Sequence, residues 1–141
     1  FNTRADVALW GSFGYELDPR KMTEEEKAMV VEQVAEYHKY YDIIRHGDLY
    51  RLRCPWDDHR FAVWQFVTQD KNEVLVTKMT MDNVWDHFQI VRLKGLDPQK
   101  IYHCPQLDLT CSGALLMNAG INMTEIAPWE YQSAKLYFHS V

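Results

Sequence analysis

The feature that most constrains this chain is a change of hydrophobic period at Gly47. Upstream, Val30, Val34, Tyr37, Tyr41 and Ile44 recur at alternating steps of four and three, which lays one apolar stripe along a helix while Glu32, Glu36 and Lys39 face elsewhere. Downstream, short runs rich in β-branched and aromatic residues follow one another: "LYRLRC", "RFAVWQFVTQ", "EVLVTKMTM", "FQIVRLK", "KIYHC" and "AKLYFHSV". Between them lie Pro-Trp-Asp-Asp, Asp-Lys-Asn, Asp-Asn and Gly-Leu-Asp-Pro, residues that favour turns. One element cannot hold both periods, so a helical segment ends near Gly47 and a β unit begins there.

The helix carries its own boundaries. Thr23 and Glu26 fit the capping box, and Glu24 to Glu26 suit the positive end of the helix dipole. Arg45 and His46 supply favourable charge for the last carbonyls, and Gly47 is able to take a left-handed cap. The strands have no helices between them, which favours antiparallel hairpins and Greek-key connections, hence a sandwich. "RFAVWQFV" is apolar on both alternating sets, as a central strand is when one face meets the second sheet and the other a neighbouring element. Ahead of the helix, "RADVALWGSFGYELDP" reads as a short strand ending at Gly11 and a loop containing Gly14 and Pro19. A lone βα unit of this kind leaves its parallel neighbours missing.

Composition narrows the function classes. At 141 residues, 47% hydrophobic and 13% aromatic, the chain has material for a core. The formal charge of −5 is spread without a run of Lys or Arg, which argues against nucleic acid or an anionic membrane as partner. No apolar run approaches the roughly 20 residues that span a bilayer. The odd set Cys54, Cys104 and Cys111, in no CxxC spacing, points to free thiols and a cytoplasmic setting. The start at Phe1, without methionine or a signal-peptide pattern, leads us to expect a piece of a longer protein.

The most reactive-looking stretch is "RCPWDDHR", Arg53 to Arg60. Asp57 and Asp58 are adjacent and diverge in most backbone conformations, whereas glycosidase carboxylates flank a bond from separate elements about 5 to 9 Å apart. In a turn, Asp accepts bonds from nearby N–H groups and Pro55 fixes one dihedral, so the stretch reads as a corner between strands. The histidines His38, His46, His59, His87, His103 and His139 form no HxxH or HExxH, and His103 and Cys104 should point to opposite faces of a strand. No GxSxG, GxGxxG or P-loop occurs, and the sequon Asn122-Met123-Thr124 reads as coincidence.

Taken in order, "TRADVALWGSFGYELD", "GDLYRLRCP", "RLKGLDPQKIYHC", "SGALLMNAGI" and "YQSAKLYF" closely resemble the C-terminal portion of glycoside hydrolase family 36 α-galactosidases over nearly the whole chain. The resemblance implies a parent enzyme with an N-terminal β-sandwich, a central (β/α)8 barrel and a C-terminal antiparallel sandwich, acting by a retaining mechanism on terminal non-reducing α-galactosyl groups, as in melibiose or raffinose. Residues 1–46 then correspond to the last βα unit of the barrel and residues 47–141 to the C-terminal sandwich. The expected fold is mainly β: an antiparallel Greek-key sandwich preceded by one strand and one long α-helix. The Tyr-rich stripe would pack on the barrel sheet or on the sandwich.

The family's nucleophile sits in a Lys-Trp-Asp motif and its acid/base in a Ser-Asp-Asp type motif. Neither occurs here, and Trp56-Asp57-Asp58 aligns with the turn after the first sandwich strand. The resemblance therefore assigns no catalytic, substrate-binding or metal residue and no cofactor, and puts the catalytic aspartates upstream of Phe1. Trp10, Gly11 and Ser12 are expected to approach the sugar pocket of the intact enzyme, because the end of a barrel strand faces the mouth. The implied partners are the remainder of the enzyme chain, galactosyl oligosaccharides through it, and further copies in a homo-oligomer. Two other classes stay open: a carbohydrate-binding module using Trp56, Trp85 or Trp129, and an assembly domain.

Overall fold

The structure, a computed structural model, describes residues 2–57, 60–82 and 88–141. Helices α1 (Asn2–Ala8) and α2 (Glu24–His46) precede the strands β1 (Asp48–Arg53), β2 (Phe61–Val67), β3 (Glu73–Thr80), β4 (Ile90–Val91), β5 (Ile101–Cys104) and β6 (Leu109–Ser112). Helix α3 (Gly113–Asn118), β7 (Ile121–Asn122) and β8 (Ser133–Ser140) complete the chain. The strands form an antiparallel six-stranded sheet of order β1-β2-β3-β8-β5-β6 and a two-stranded sheet β4-β7. Strand β8 returns beside β5 after the β5–β6 hairpin and β7, the long return of a Greek key.

The large sheet has two covered faces. Phe61, Val63 and Val67 of β2, Val74 and Val76 of β3, and Leu136 and Phe138 of β8 point inward to meet Val91, Leu93, Leu116, Ile121 and Met123. On the outer face, Ala62, Trp64, Phe66 and Leu75 pack under Tyr40 and Ile43 of α2. Strand β2 is buried at every position. That is the central strand its doubly apolar sequence requires, with a sheet on one side and a helix on the other.

Helix α2 starts at the expected capping box: the Glu26 amide donates to Thr23 Oγ1 at 3.2 Å and the Thr23 amide to Glu26 Oε2 at 2.9 Å. Its end differs from expectation. Gly47 lies at φ −77°, in extended rather than left-handed backbone. Glycine is needed there for close approach, since a Cβ would meet Ile43 O at 2.3 Å and Val67 O at 2.9 Å. The buried face also differs: Gln33, Tyr40 and Ile43 are buried, one residue round from the expected stripe, with Tyr40 and Ile43 on the sheet and Gln33 bonded to Asn2 and Tyr15. Tyr37 stacks on Phe13 at 5.2 Å and meets Tyr41 edge-on at 5.6 Å, so the tyrosine stripe faces the segment before the helix instead of the sandwich.

The segment from Arg4, expected as a short strand ending at Gly11, is instead helical over Asn2–Ala8. The reason is visible in the spacing: Ala5 and Leu9 are buried one helical turn apart, with the Leu9 amide on Ala5 O at 2.9 Å, while Val7 is exposed. A parallel strand here would need neighbours for its backbone groups, and a helix satisfies them internally. "FQIVRLK" is strand only at Ile90–Val91. Beyond it, buried Gln65 of β2 takes over: its Nε2 donates to Lys94 O at 2.5 Å and its Oε1 accepts from Lys94 N at 3.2 Å, a side chain standing in for strand pairing. Helix α3 and strands β6 and β7 had no counterpart in the sequence reading. Ser112 caps α3 by accepting from Leu115 N at 3.2 Å, and Gly120, at φ +81°, closes it.

Candidate functional site at the helix–sheet seam

The described part of "RCPWDDHR" is a turn, with the Asp57 amide on Cys54 O at 3.1 Å and Trp56 83% exposed. Arg60 carbonyl accepts from Met81 N at 2.8 Å and Asp82 N at 3.1 Å, fastening the entry to β2. Asp58 and His59 lie outside the described residues, so the Asp57–Asp58 relation does too.

Next to this turn lies Trp10. Its ring stacks on Trp64 with centroids 4.9 Å apart and planes 17° from parallel, and the Arg51 guanidinium sits 5.3 Å from the Trp10 ring. Trp10, Pro55, Trp56, Trp64, Met79 and Met81 line an apolar pocket of about 420 Å³. Residues far apart in sequence thus meet, which no local pattern could reveal. Among the described residues no carboxylate lines the pocket, and a glycosidic bond is cleaved between two carboxyl groups. Gly11 and Ser12 are exposed beyond it.

The polar counterpart is a cleft of about 630 Å³ between α1, α2 and β8. Lys135 of β8 binds Asp6 of α1 and lies 3.0 Å from Glu36 of α2, and Ser133 Oγ donates to Asp6 Oδ2 at 2.6 Å. Burial works against the Lys135 charge, but hydrogen bonding and attraction from Asp6 and Glu36 outweigh it and raise the ammonium above the usual lysine range. Two carboxylates beside a cleft resemble an acid–base pair. The ammonium shared between them makes the group a clamp that fastens both helices to the sheet.

Another lysine, Lys78, is fully buried, and the hydrogen-bond partners described for it are neutral oxygens. Lys78 faces the inner core in phase with Val74 and Val76, and its Nζ donates to Gln89 Oε1 at 2.7 Å, Met123 O at 2.9 Å and Ile126 O at 2.7 Å. Burial pushes its ammonium down to about 8. Sequence reasoning missed this residue, although its inward phase along β3 was a usable signal. His103 and Cys104 do face opposite ways: His103 bonds Thr110 Oγ1 at 2.8 Å and Cys104 is buried. His103 also meets His139 across β5 and β8, rings 5.5 Å apart. Among the described residues no group of three or more His, Cys, Asp or Glu is placed to hold a metal ion. Trp129 is 63% exposed; Trp85 lies outside the described residues.

Comparison with known proteins places this architecture. Residues 61–138 match the profile described as "Glycosyl hydrolase family 36 C-terminal domain", and residues 1–47 match that described as "Melibiase". The chain is 42% identical over 124 residues to α-galactosidase Mel36A of Lactobacillus acidophilus, covering 85% of this chain and 16% of that protein. It is 35% identical over 139 residues to the bifunctional α-galactosidase/sucrose kinase AgaSK of Mediterraneibacter gnavus, covering 98% of this chain and 15% of that one. The solved galactosidase domain of AgaSK superposes with a TM-score of 0.88 at 34% identity, over 99% of this chain and 19% of that chain. The α-galactosidase AgaA of Geobacillus stearothermophilus superposes with a TM-score of 0.88 at 35% identity, again over 99% and 19%. The chain therefore spans less than a fifth of the relatives it matches.

Proposed function

Because this chain belongs to glycosyl hydrolase family 36 and is a C-terminal portion of its α-galactosidases, we propose that it supports an enzyme cleaving terminal α-galactosyl groups while itself doing no chemistry. In this reading residues 1–46 are the end of the catalytic barrel and residues 47–141 are a sandwich that braces it. The retaining nucleophile and acid/base belong to the remainder of the enzyme, and the substrates are oligosaccharides such as melibiose and raffinose.

The observation that carries the reading is the clamp. Lys135 takes one carboxylate from each helix, so the helical segment and the sandwich are held together by a partly buried charge network. The exposed apolar side chains of Leu17 and Val31 on the helical segment support contact with the remainder of the enzyme or with further copies in a homo-oligomer. Three unpaired cysteines support a cytoplasmic setting.

The test is made in a parent α-galactosidase that contains this chain. Asp57→Asn and Asp58→Asn should leave kcat within about twofold of the parent. Lys135→Met should lower the temperature at which activity is lost without changing kcat below it. A large kcat loss from either aspartate would overturn the assignment of chemistry to other residues.

A further inference from the structure

The segment from Met123 to Gln132 is held unusually firmly for a loop. Lys78 Nζ binds the carbonyls of Met123 and Ile126 at 2.9 and 2.7 Å, and Thr80 Oγ1 donates to Ala127 O at 2.6 Å. Thr80 exchanges backbone bonds with its far end: Tyr131 N donates to Thr80 O at 2.8 Å and Thr80 N to Gln132 O at 2.9 Å. Thr3 Oγ1 donates to Tyr131 O at 2.5 Å, and Gln132 Oε1 accepts from Trp129 N at 3.2 Å.

The same segment holds two non-glycine residues at positive φ, Ala127 at 45° and Tyr131 at 59°. Ala127 precedes Pro128, which adds its own restriction. Such conformations are costly and persist where surroundings over-determine them, often at ligand clamps. What the clamped backbone presents is Trp129, 63% exposed, and Tyr131, 69% exposed, with exposed Glu130 between them.

We propose that Trp129, Glu130 and Tyr131 form a surface subsite for a galactopyranose ring, with Lys78 and Thr80 as positioning residues. Galactose suits this surface because its axial 4-hydroxyl leaves one ring face rich in C–H groups, which stack on an aromatic ring, while its hydroxyls reach a carboxylate acceptor alongside. A clamped loop loses little further freedom on binding, so a small contact yields measurable affinity. This site lies in the segment between β7 and β8, and it rests on the α-galactoside reading above for its choice of sugar.

The experiment titrates the chain with melibiose and raffinose, following the tryptophan indole N–H resonances, with sucrose as the control that lacks galactose. Saturable shifts are expected for the two galactosides, with dissociation constants of about 1–10 mM, and none for sucrose. Trp129→Ala, a surface change, should weaken binding by about tenfold or more. Lys78→Met should weaken it with the Trp129 ring still present, and Thr80→Val serves in its place if Lys78→Met does not fold. Absence of saturation, an equal response to sucrose, or binding that survives Trp129→Ala would overturn the subsite. Binding unchanged in folded Lys78→Met and in Thr80→Val would overturn the positioning role. None of these outcomes bears on the proposed supporting role, which is decided by hydrolysis in the parent enzyme.

Discussion

Trp10, just after α1, stacks on Trp64 of the central strand β2 with ring centroids 4.9 Å apart. This pair joins the helical segment to the outer face of the sheet. Trp10→Ala removes the stack and opens the apolar pocket beside it, and should cost about 2–3 kcal/mol of stability. The expected signature is a lower urea midpoint with an unchanged m-value.

The polar fastening should be worth at least as much. Lys135→Met leaves Asp6, which is 6% exposed, without its ammonium, and should cost about 3–5 kcal/mol. Removing all three charges together, with Asp6→Asn and Glu36→Gln added, should recover much of that loss. A triple variant no more stable than the single one would show that the network acts through packing alone.

Much of this architecture was legible in the sequence and some was hidden for physical reasons. The capping box at Thr23 and the doubly apolar β2 are local patterns, and both appear in the structure as read. The stretch ending at Gly11 misled because Ala5, Val7 and Leu9 fit an alternating pattern, whereas of these three only the i, i+4 pair Ala5 and Leu9 is buried. Gln65 and Lys78 are polar residues in inward phase, and their partners at Lys94, Gln89, Met123 and Ile126 come from chain segments that no local period connects. The clamp at Asp6 and Lys135 joins opposite ends of the chain. Gly47 was found for the wrong property: its place needs a missing side chain, not a left-handed backbone.

Buried Lys78 and half-buried Lys135 should leave opposite marks on the pH dependence of stability. Lys78, lowered to about 8 by burial, is charged in both states below that pH, where its desolvation penalty is fully present. Between there and the unfolded lysine value of about 10.4, the folded chain has shed the proton first, so its contribution to stability rises, by about 3 kcal/mol at most. Lys135, raised by Asp6 and Glu36 against the cost of burial, contributes fully below the unfolded value and loses that contribution only as pH climbs through its higher folded value.

Burial also raises the thiols of Cys104 and Cys111, which lowers stability with rising pH in part of the same window. The informative quantity is therefore the difference between the parent chain and Lys78→Met, measured by urea unfolding at about pH 7 and about pH 9.5. That difference should move in favour of the parent as pH rises. A constant difference would contradict a depressed Lys78.

Thiol chemistry should follow burial. Cys104 is fully buried and its thiol is pushed up by that burial, so it should stay unmodified by iodoacetamide in the folded chain. Cys54, half-buried beside the exposed turn, should label first. Peptide mass mapping after brief alkylation gives the order. Early labelling of Cys104 would mean that the core around β5 opens readily.

The most direct measurement of the chain's role is hydrolysis of a chromogenic α-galactoside by the purified 141-residue chain. The expected result is no turnover above a control preparation, with an intact α-galactosidase active under the same conditions. Saturable hydrolysis that purifies with the chain and is abolished by Asp6→Asn or Asp57→Asn would place catalysis within it and contradict the supporting role proposed here.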